Sequence, residues 1–91
     1  MRKRQGSSHI KPIEDPVPVE MRGNLLVVTA ESPLPPGSRV HLSLTIPKHA
    51  AMTLHGKVVS ISSLEKTRYR ISIRLHSVSR EQTDALVRHL S

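Results

Sequence analysis

The chain has 91 residues, enough for one domain but too few for two separate hydrophobic cores. It contains no cysteine and one aromatic residue, a tyrosine, so disulfides, thiolate metal sites and cysteine nucleophiles are excluded and the core must be aliphatic. The formal net charge is +7: five basic and four acidic residues precede Ser32, whereas nine basic and three acidic residues lie from Ser32 onward. This basic balance favours anionic partners, such as nucleotides, nucleic acids, acidic proteins or lipid headgroups.

No segment predicts export or a membrane span. The basic start, "MRKRQGSSH", is not followed by the apolar run of a secretory signal. No stretch approaches the roughly 18–20 apolar residues that cross a bilayer. We therefore expect a soluble, cytoplasmic chain.

Residues 1–18 are predicted to form an extended, mobile arm that touches a sheet edge near 17–21. Prolines remove backbone donors and block helical turns, and this segment holds Pro12, Pro16 and Pro18. It also carries a basic cluster, which comprises Arg2, Lys3 and Arg4. The folded domain is expected over residues 19–91.

The next segments predict strands. "NLLVVTA" is a short apolar run with β-branched residues, typical of a buried strand. "SPLPPG" predicts a turn, and "SRVHLSLTIP" then alternates strictly between apolar and polar residues. Its predicted inner row comprises Val40, Leu42, Leu44 and Ile46.

Two more strands follow. "MTLHGKVVSIS" contains Gly56, which predicts a bulge or a sharp bend, as at a barrel corner. "RYRISIRLHSV" alternates again, with a predicted inner row of Tyr69, Ile71, Ile73 and Leu75. Its outer row comprises Arg68, Arg70, Ser72, Arg74 and His76.

The end of the chain predicts a helix over residues 79–90. Ser79 and Gln82 have the spacing of a capping box, and Glu81 is placed in the first turn, where the helix dipole favours an anion. Leu86, Val87 and Leu90 form the expected apolar stripe. A helix of this length needs tertiary packing, so it should cover the sheet. The whole pattern predicts a mainly β fold, a small antiparallel barrel or sandwich closed by one helix.

Residues 23–90 resemble the PilZ domain family. The resemblance is carried, in order, by three segments: "GNLLVVTAESPLPPGSRVHLSLTIP", "LHGKVVSIS" and "YRISIRLHSVSREQTDALVRHL". These are similar to the family's scaffold patterns, and they imply a small six-stranded β-barrel with a C-terminal helix. Many members of the family bind the bacterial second messenger cyclic di-GMP, so the resemblance implies a signalling role.

The resemblance also implies where a ligand would bind. Binding members share an R-x-x-x-R motif near the start and a D-x-S-x-x-G motif at a strand turn. An arginine fork can meet a phosphate or a guanine edge bidentately, and an Asp can accept from guanine nitrogens. If the family's paired glycines lie on Gly23 and Asn24, the second motif falls on Val19, Met21 and Asn24, where neither the carboxylate nor the hydroxyl is present.

The scaffold of the turn is nevertheless expected to survive, because Asn24 can adopt a left-handed conformation. Upstream, the only candidate for the arginine motif is Arg2-Lys3-Arg4, and it lacks an arginine four residues after Arg2, where Gly6 stands. The candidate ligand residues are therefore Arg2, Lys3, Arg4, Gly23 and Asn24.

A second, basic face is predicted on the later strands. It comprises Lys57, Arg68, Arg70 and Arg74, and the last two form a literal R-x-x-x-R on an outward strand face, away from the family's site. Such a stripe is most simply a solvated face, although it could also bind nucleic acid phosphates. Single-strand binders usually stack bases on aromatic side chains, and Tyr69 belongs to the predicted inner row.

Metal binding and catalysis are not indicated. There is no H-x-x-x-H pair among the six histidines, and His41, His55 and His76 could meet only if the strand register aligned them. The carboxylates form no evident pair, and no serine has a nucleophile-elbow context. We expect no metal, no cofactor and no enzymatic activity.

Three interpretations of function remain from the sequence. The first is a non-catalytic domain of the cyclic di-GMP receptor family that docks a protein partner. The second is weak binding of cyclic di-GMP by the N-terminal arginine cluster against the Gly23-Asn24 turn. The third is a basic barrel that binds nucleic acid.

Overall fold

The computed structural model describes residues 10–46 and 51–90, which form one six-stranded sheet and one helix. The strands are β1 (Lys11–Pro12), β2 (Val17–Arg22), β3 (Leu25–Ala30), β4 (Arg39–Leu44), β5 (Met52–Ser63) and β6 (Tyr69–His76). The helix, α1, spans Arg80–Leu90. The predicted mainly β fold with six strands and a C-terminal helix is confirmed.

The sheet is open where a closed barrel was predicted. The strand order is β1-β4-β5-β6-β3-β2, and within the described residues no backbone pairing joins the edge strands β1 and β2. Both edges are rich in proline, with Pro12 in β1 and Pro18 in β2, and proline lacks the N–H that a further ladder would need. The pairing is antiparallel except between β1 and β4, which run parallel.

The first strand, β1, lies within residues 1–18, the segment that was predicted to be an arm outside the sheet. Lys11 and Pro12 pair with β4, and the Ile13 N–H donates to the His41 carbonyl at 3.0 Å. Ile13 is buried in the core, so this part of the segment is anchored by both a backbone bond and apolar contact. The start of the predicted arm, with Arg2, Lys3 and Arg4, lies outside the described residues.

The core lies on one face of the sheet and is made of aliphatic side chains. The alternation of β4 and β6 is confirmed, since the predicted inner residues are buried, except that Tyr69 is half-buried and packs against the core. No polar or charged side chain among the described residues is buried. Because hydrophobic burial is the dominant stabilising contribution to folding, this face determines the fold.

The predicted turn after "SPL" is confirmed. The Ser38 N–H donates to the Pro35 carbonyl at 3.1 Å, which places Pro36 and Gly37 at the centre of a β-turn. Gly37 has a φ of 94°, the conformation that favours glycine in the third position of a type II turn. The turn starts β4 at Arg39.

Gly56 was predicted to mark a bulge or a sharp bend, and the bulge is not at this residue. It pairs regularly with Val40 and Leu75, and the register shift of β5 lies between Val58 and Ser60 instead. A Cβ at Gly56 would lie 2.5 Å from the Arg74 carbonyl oxygen and 2.6 Å from Ile73 Cγ2. Only glycine fits here, because β6 passes too close for any side chain.

The predicted capping box at the start of α1 is confirmed. The Ser79 N–H donates to Gln82 Oε1 and the Gln82 N–H donates to Ser79 Oγ, both at 3.1 Å. The helix packs on β2 with Ala85 and Leu86 buried. The predicted stripe was wrong at Val87, which is 44% exposed, because the buried side of the helix is centred one residue earlier.

Candidate functional site

The β2–β3 turn keeps its scaffold. Arg22 and Leu25 pair across a two-residue loop of Gly23 and Asn24. Gly23 has a φ of 57°, whereas Asn24 is not among the residues with positive φ, so the left-handed position belongs to the glycine and not, as predicted, to the asparagine. Glycine as the first central residue is typical of a tight hairpin turn. The Asn24 carbonyl accepts the Leu75 N–H at 2.8 Å, which ties the turn to β6.

The side chains at Val19 and Met21, where the family's second motif would fall, offer little to a nucleotide. Val19 lies at the register shift of β2 and is 39% exposed, and it presents only methyl groups. Met21 is half-buried and packs against the core. Neither Val19 nor Met21 brings a carboxylate or a hydroxyl to the surface. The turn is therefore a rigid element without polar ligand groups at these two positions.

An ion-pair cluster lies on the outer face next to the turn. Arg22 Nε lies 2.5 Å from Glu20 Oε2, and Arg70 Nη2 lies 3.6 Å from Glu20 Oε1. Arg68 Nη2 donates to Thr29 Oγ1 at 3.3 Å. Exposed pairs of this kind contribute little to stability, but they occupy Arg70 and Arg68 with partners inside the chain.

The strand register places the remaining basic residues in one row. Arg39 on β4 pairs with Lys57 on β5, which pairs with Arg74 on β6. Arg74 pairs with Leu25, and Leu25 with Arg22, so the row continues across β3 to β2. Residues directly opposite on neighbouring strands project from the same face, roughly 5 Å apart. The row therefore presents four cations on the outer face, with Leu25 as its one apolar member.

A row of histidines runs beside these cations. His41 pairs with His55, and His55 pairs with His76. The rings of His41 and His55 have centroids 6.1 Å apart. The condition that the sequence left open, strand register that aligns the three histidines, is thus met. Among the described residues, however, no group of three or more His, Asp or Glu side chains has a geometry that could hold a metal ion.

The predicted basic face is therefore divided. Lys57 and Arg74 are neighbours in one row. Arg70 lies farther from them on β6 and has a partner on β2, and Arg68, just before β6, has a partner on β3. The sequence did not single out Arg39, Arg22 or Glu20. The alternation of β4 placed Arg39 outward, but only the register shows that it lies opposite Lys57.

An apolar groove lies on another part of the surface. Its volume is about 560 Å³, and it lies between the proline-rich loop before β4 and the β5–β6 hairpin. Its lining comprises Pro33, Leu34, Pro35, Pro36, Ile61, Ser62, Ser63 and Tyr69. Tyr69 thus lines a groove shared with prolines and lies on the inner side of the sheet, away from the basic rows.

The sequence model of the PilZ domain matches residues 19–91, in agreement with the scaffold resemblance. No curated protein and no solved structure matches the chain. No helix among the described residues is long and apolar enough to cross a membrane.

Proposed function

The chain belongs to the PilZ domain family, a family of signalling domains of the cyclic di-GMP-binding type, and on this premise we propose that it is a non-catalytic module that acts by docking a protein partner. In this proposal the domain keeps the family's scaffold but does not use the β2–β3 turn as a nucleotide site. The observation that carries it is the apolar chemistry at Val19 and Met21, beside an intact Gly23-Asn24 turn.

The size of the expected loss of affinity supports this proposal. A hydrogen bond that involves a charged group contributes about 1.5–3 kcal/mol. The missing carboxylate and hydroxyl together would remove about 2–4 kcal/mol of binding free energy, which is a loss of roughly 30- to 1,000-fold. Glu20, the acidic residue between these two positions, cannot replace the missing carboxylate freely, because Arg22 and Arg70 flank its oxygens.

The competing interpretation is weak but real binding of cyclic di-GMP. It would use Arg2, Lys3 and Arg4 to clamp the dinucleotide against the turn, and these three residues lie outside the described part of the chain. Arg22 and Arg74 flank the turn on the outer face and could add phosphate contacts. The interpretation therefore differs from docking in one measurable quantity, the affinity for the dinucleotide.

Titration calorimetry with cyclic di-GMP separates the two interpretations. Under the docking proposal the full chain gives no binding heat at concentrations up to about 100 μM, a limit that corresponds to about −5.5 kcal/mol. Micromolar or tighter binding that Arg4→Ala abolishes would overturn the proposal. Lys66→Ala, which removes an exposed charge from the β5–β6 hairpin, is the matched control.

A second candidate function is nucleic-acid binding, which the row of Arg39, Lys57 and Arg74 favours. Phosphate contacts made by such residues release counterions, so the affinity should fall steeply with salt. This function requires retention on DNA or heparin at low ionic strength and weaker retention of Arg74→Ala. Absent or salt-insensitive retention would exclude it.

A further inference from the structure

Six residues on the outer face of β4, β5 and β6 form a two-row arrangement, here called the cationic grid. One row contains three fixed charges and the other three histidines: Arg39, Lys57, Arg74, His41, His55 and His76. Each row is made of directly paired residues, and the rows are two residues apart on every strand. Neighbours within a row are thus roughly 5 Å apart and the rows roughly 7 Å apart.

The grid contains no compensating acid. The ion pairs formed by Glu20 reach Arg22 and Arg70 and do not extend to any grid residue. Along the strands the grid is bordered by Ser43, Thr53 and Ser72, all uncharged. Like charges directly opposite in a sheet are destabilising, so the pairs Arg39–Lys57 and Lys57–Arg74 weaken the fold slightly instead of supporting it.

In the part of the chain that the structure describes, other charged groups lie at the edge of the grid. Asp15, in the loop after β1, and His89 of α1 line a groove beside β4 together with His41. Lys11 of β1 pairs with Val40, and Pro12 pairs with His41. From the β3 side, Leu25 faces Arg74 and brings no charge. Among the described residues, the cross-strand neighbours of His55 and Lys57 at the centre of the grid are therefore all basic.

We infer that the cationic grid is the docking surface of the domain and that its occupant is an extended segment, rich in Asp and Glu, of a protein partner. The inference rests on the proposed docking function. In an extended chain, alternate side chains project from one face roughly 6.5–7 Å apart, which matches the separation of the two rows. Carboxylates meet arginine and lysine in charge-assisted hydrogen bonds, the strongest that such a surface offers.

A protein segment fits this surface better than a single-stranded nucleic acid does. Proteins that bind single-stranded nucleic acid combine a positively charged groove with aromatic side chains on which the bases stack. The grid has no aromatic residue other than its imidazoles, and the single tyrosine lies on the inner side of the sheet. The grid is also only three strands wide, enough for a few carboxylates of one segment.

The test uses the full chain and a fluorescently labelled peptide of about ten glutamates, followed by anisotropy at about 20 mM salt, where charge interactions are least screened. We expect the peptide to bind to the native chain. The double substitution Lys57→Gln/Arg74→Gln should weaken the affinity for the peptide about tenfold, which corresponds to about 1.4 kcal/mol. Lys66→Gln, a matched lysine outside the grid, should change the affinity less than twofold, within the scatter of surface pairs. Circular dichroism verifies that each variant is folded.

A second arm tests the identity of the occupant. A single-stranded oligonucleotide of similar length and charge is the competing probe. If the oligonucleotide binds more tightly than the peptide, and does so through the same grid residues, the occupant is nucleic acid and the inferred protein segment is wrong.

Failure of this inference is distinct from failure of the proposed function. Unchanged peptide affinity in the Lys57→Gln/Arg74→Gln variant, or absent peptide binding, would overturn the grid as a docking surface for acidic segments. Neither result changes the calorimetry with cyclic di-GMP. Tight dinucleotide binding, in turn, would overturn the proposed function even if the peptide bound as expected.

Discussion

The two faces of the sheet differ in what they do and in how much the sequence revealed about them. The inner face is aliphatic, is buried against α1 and the loops, and contains no buried polar side chain among the described residues. The outer face of β4, β5 and β6 presents cations and histidines in aligned rows. The inner face favours folding through burial, whereas the outer face brings like charges together.

This difference indicates where the function lies. A core made only of Val, Leu, Ile and similar residues can fold the chain but cannot recognise a charged ligand. The polar chemistry is left to the outer face, where the grid has six basic groups, whereas Val19 and Met21, near the turn at Gly23, are apolar. This contrast supports the proposal that the grid, and not the turn, is the interacting surface.

The largest expected effect lies on the inner face. Leu42 is fully buried, while Ser43, the next residue in β4, is exposed on the other face. Leu42→Ala should lower the free energy of unfolding by about 2–5 kcal/mol, because it removes buried methyl groups and leaves a cavity. Ser43→Ala, its control, should stay within about 0.5 kcal/mol. Urea denaturation measures the free energy of unfolding of both variants. Equal losses in the two variants would contradict the assignment of Leu42 to a buried face and Ser43 to an exposed one.

The second effect concerns Gly56, which is tightly enclosed by β6, and Gly23, which faces open space. Gly56→Ala places a Cβ against the backbone of Arg74 and the side chain of Ile73, and it should destabilise the fold by about 1–3 kcal/mol. Gly23→Ala meets open space, so only its positive φ opposes the change, at about 1–2 kcal/mol.

Heteronuclear amide spectra distinguish these two glycine variants. Gly56→Ala should shift amides on β5 and β6, whereas the shifts from Gly23→Ala should stay at the turn. A Gly56→Ala variant as stable as the native chain would contradict the close approach of β6 to β5.

The sequence predicted the inner face because the pattern within one strand is enough to identify it. The alternation of β4 and β6 predicted their buried rows, and the Ser79–Gln82 spacing predicted the start of α1. Register is a relation between strands, and no pattern within a single strand contains it. The row of Arg39, Lys57 and Arg74 and the alignment of the histidines therefore became visible only in the structure.

The incorrect predictions have similar causes. Gly56 was interpreted as a bulge or a sharp bend because a strand glycine has several uses, and only the position of β6 shows how closely the two strands approach there. Barrel closure depends on whether the edge strands meet, and proline positions alone did not decide this. Asn24 and Gly23 both tolerate a left-handed conformation, so the sequence could not assign it to one of them.

A moderate effect is expected at the start of the helix. Ser79→Ala removes the acceptor for the Gln82 N–H and should destabilise the fold by about 1 kcal/mol. Thermal unfolding followed by circular dichroism measures the loss. Because α1 covers the inner face, the affinity of the grid for the glutamate peptide should be unchanged. A loss of peptide affinity in the folded Ser79→Ala variant would contradict the prediction that the helix start and the grid act independently.

The smallest effect is a gain in stability on the outer face. Lys57→Gln relieves the repulsion from Arg39 and Arg74, so it should raise the free energy of unfolding by about 0.2–0.5 kcal/mol at low salt. The gain should vanish near 1 M salt, where the screening length is about 3 Å. Lys66→Gln should show no such salt-dependent gain. Destabilisation by Lys57→Gln at low salt would mean that the grid supports the fold.

The most direct test of the account follows amide shifts during two separate titrations of the full chain. With the glutamate peptide, we expect shifts at residues 39–41, 55–57 and 74–76, and with cyclic di-GMP we expect none at Gly23 and Asn24. The opposite result, in which the dinucleotide shifts the Gly23 and Asn24 amides at micromolar concentration while the peptide leaves the grid silent, would contradict it.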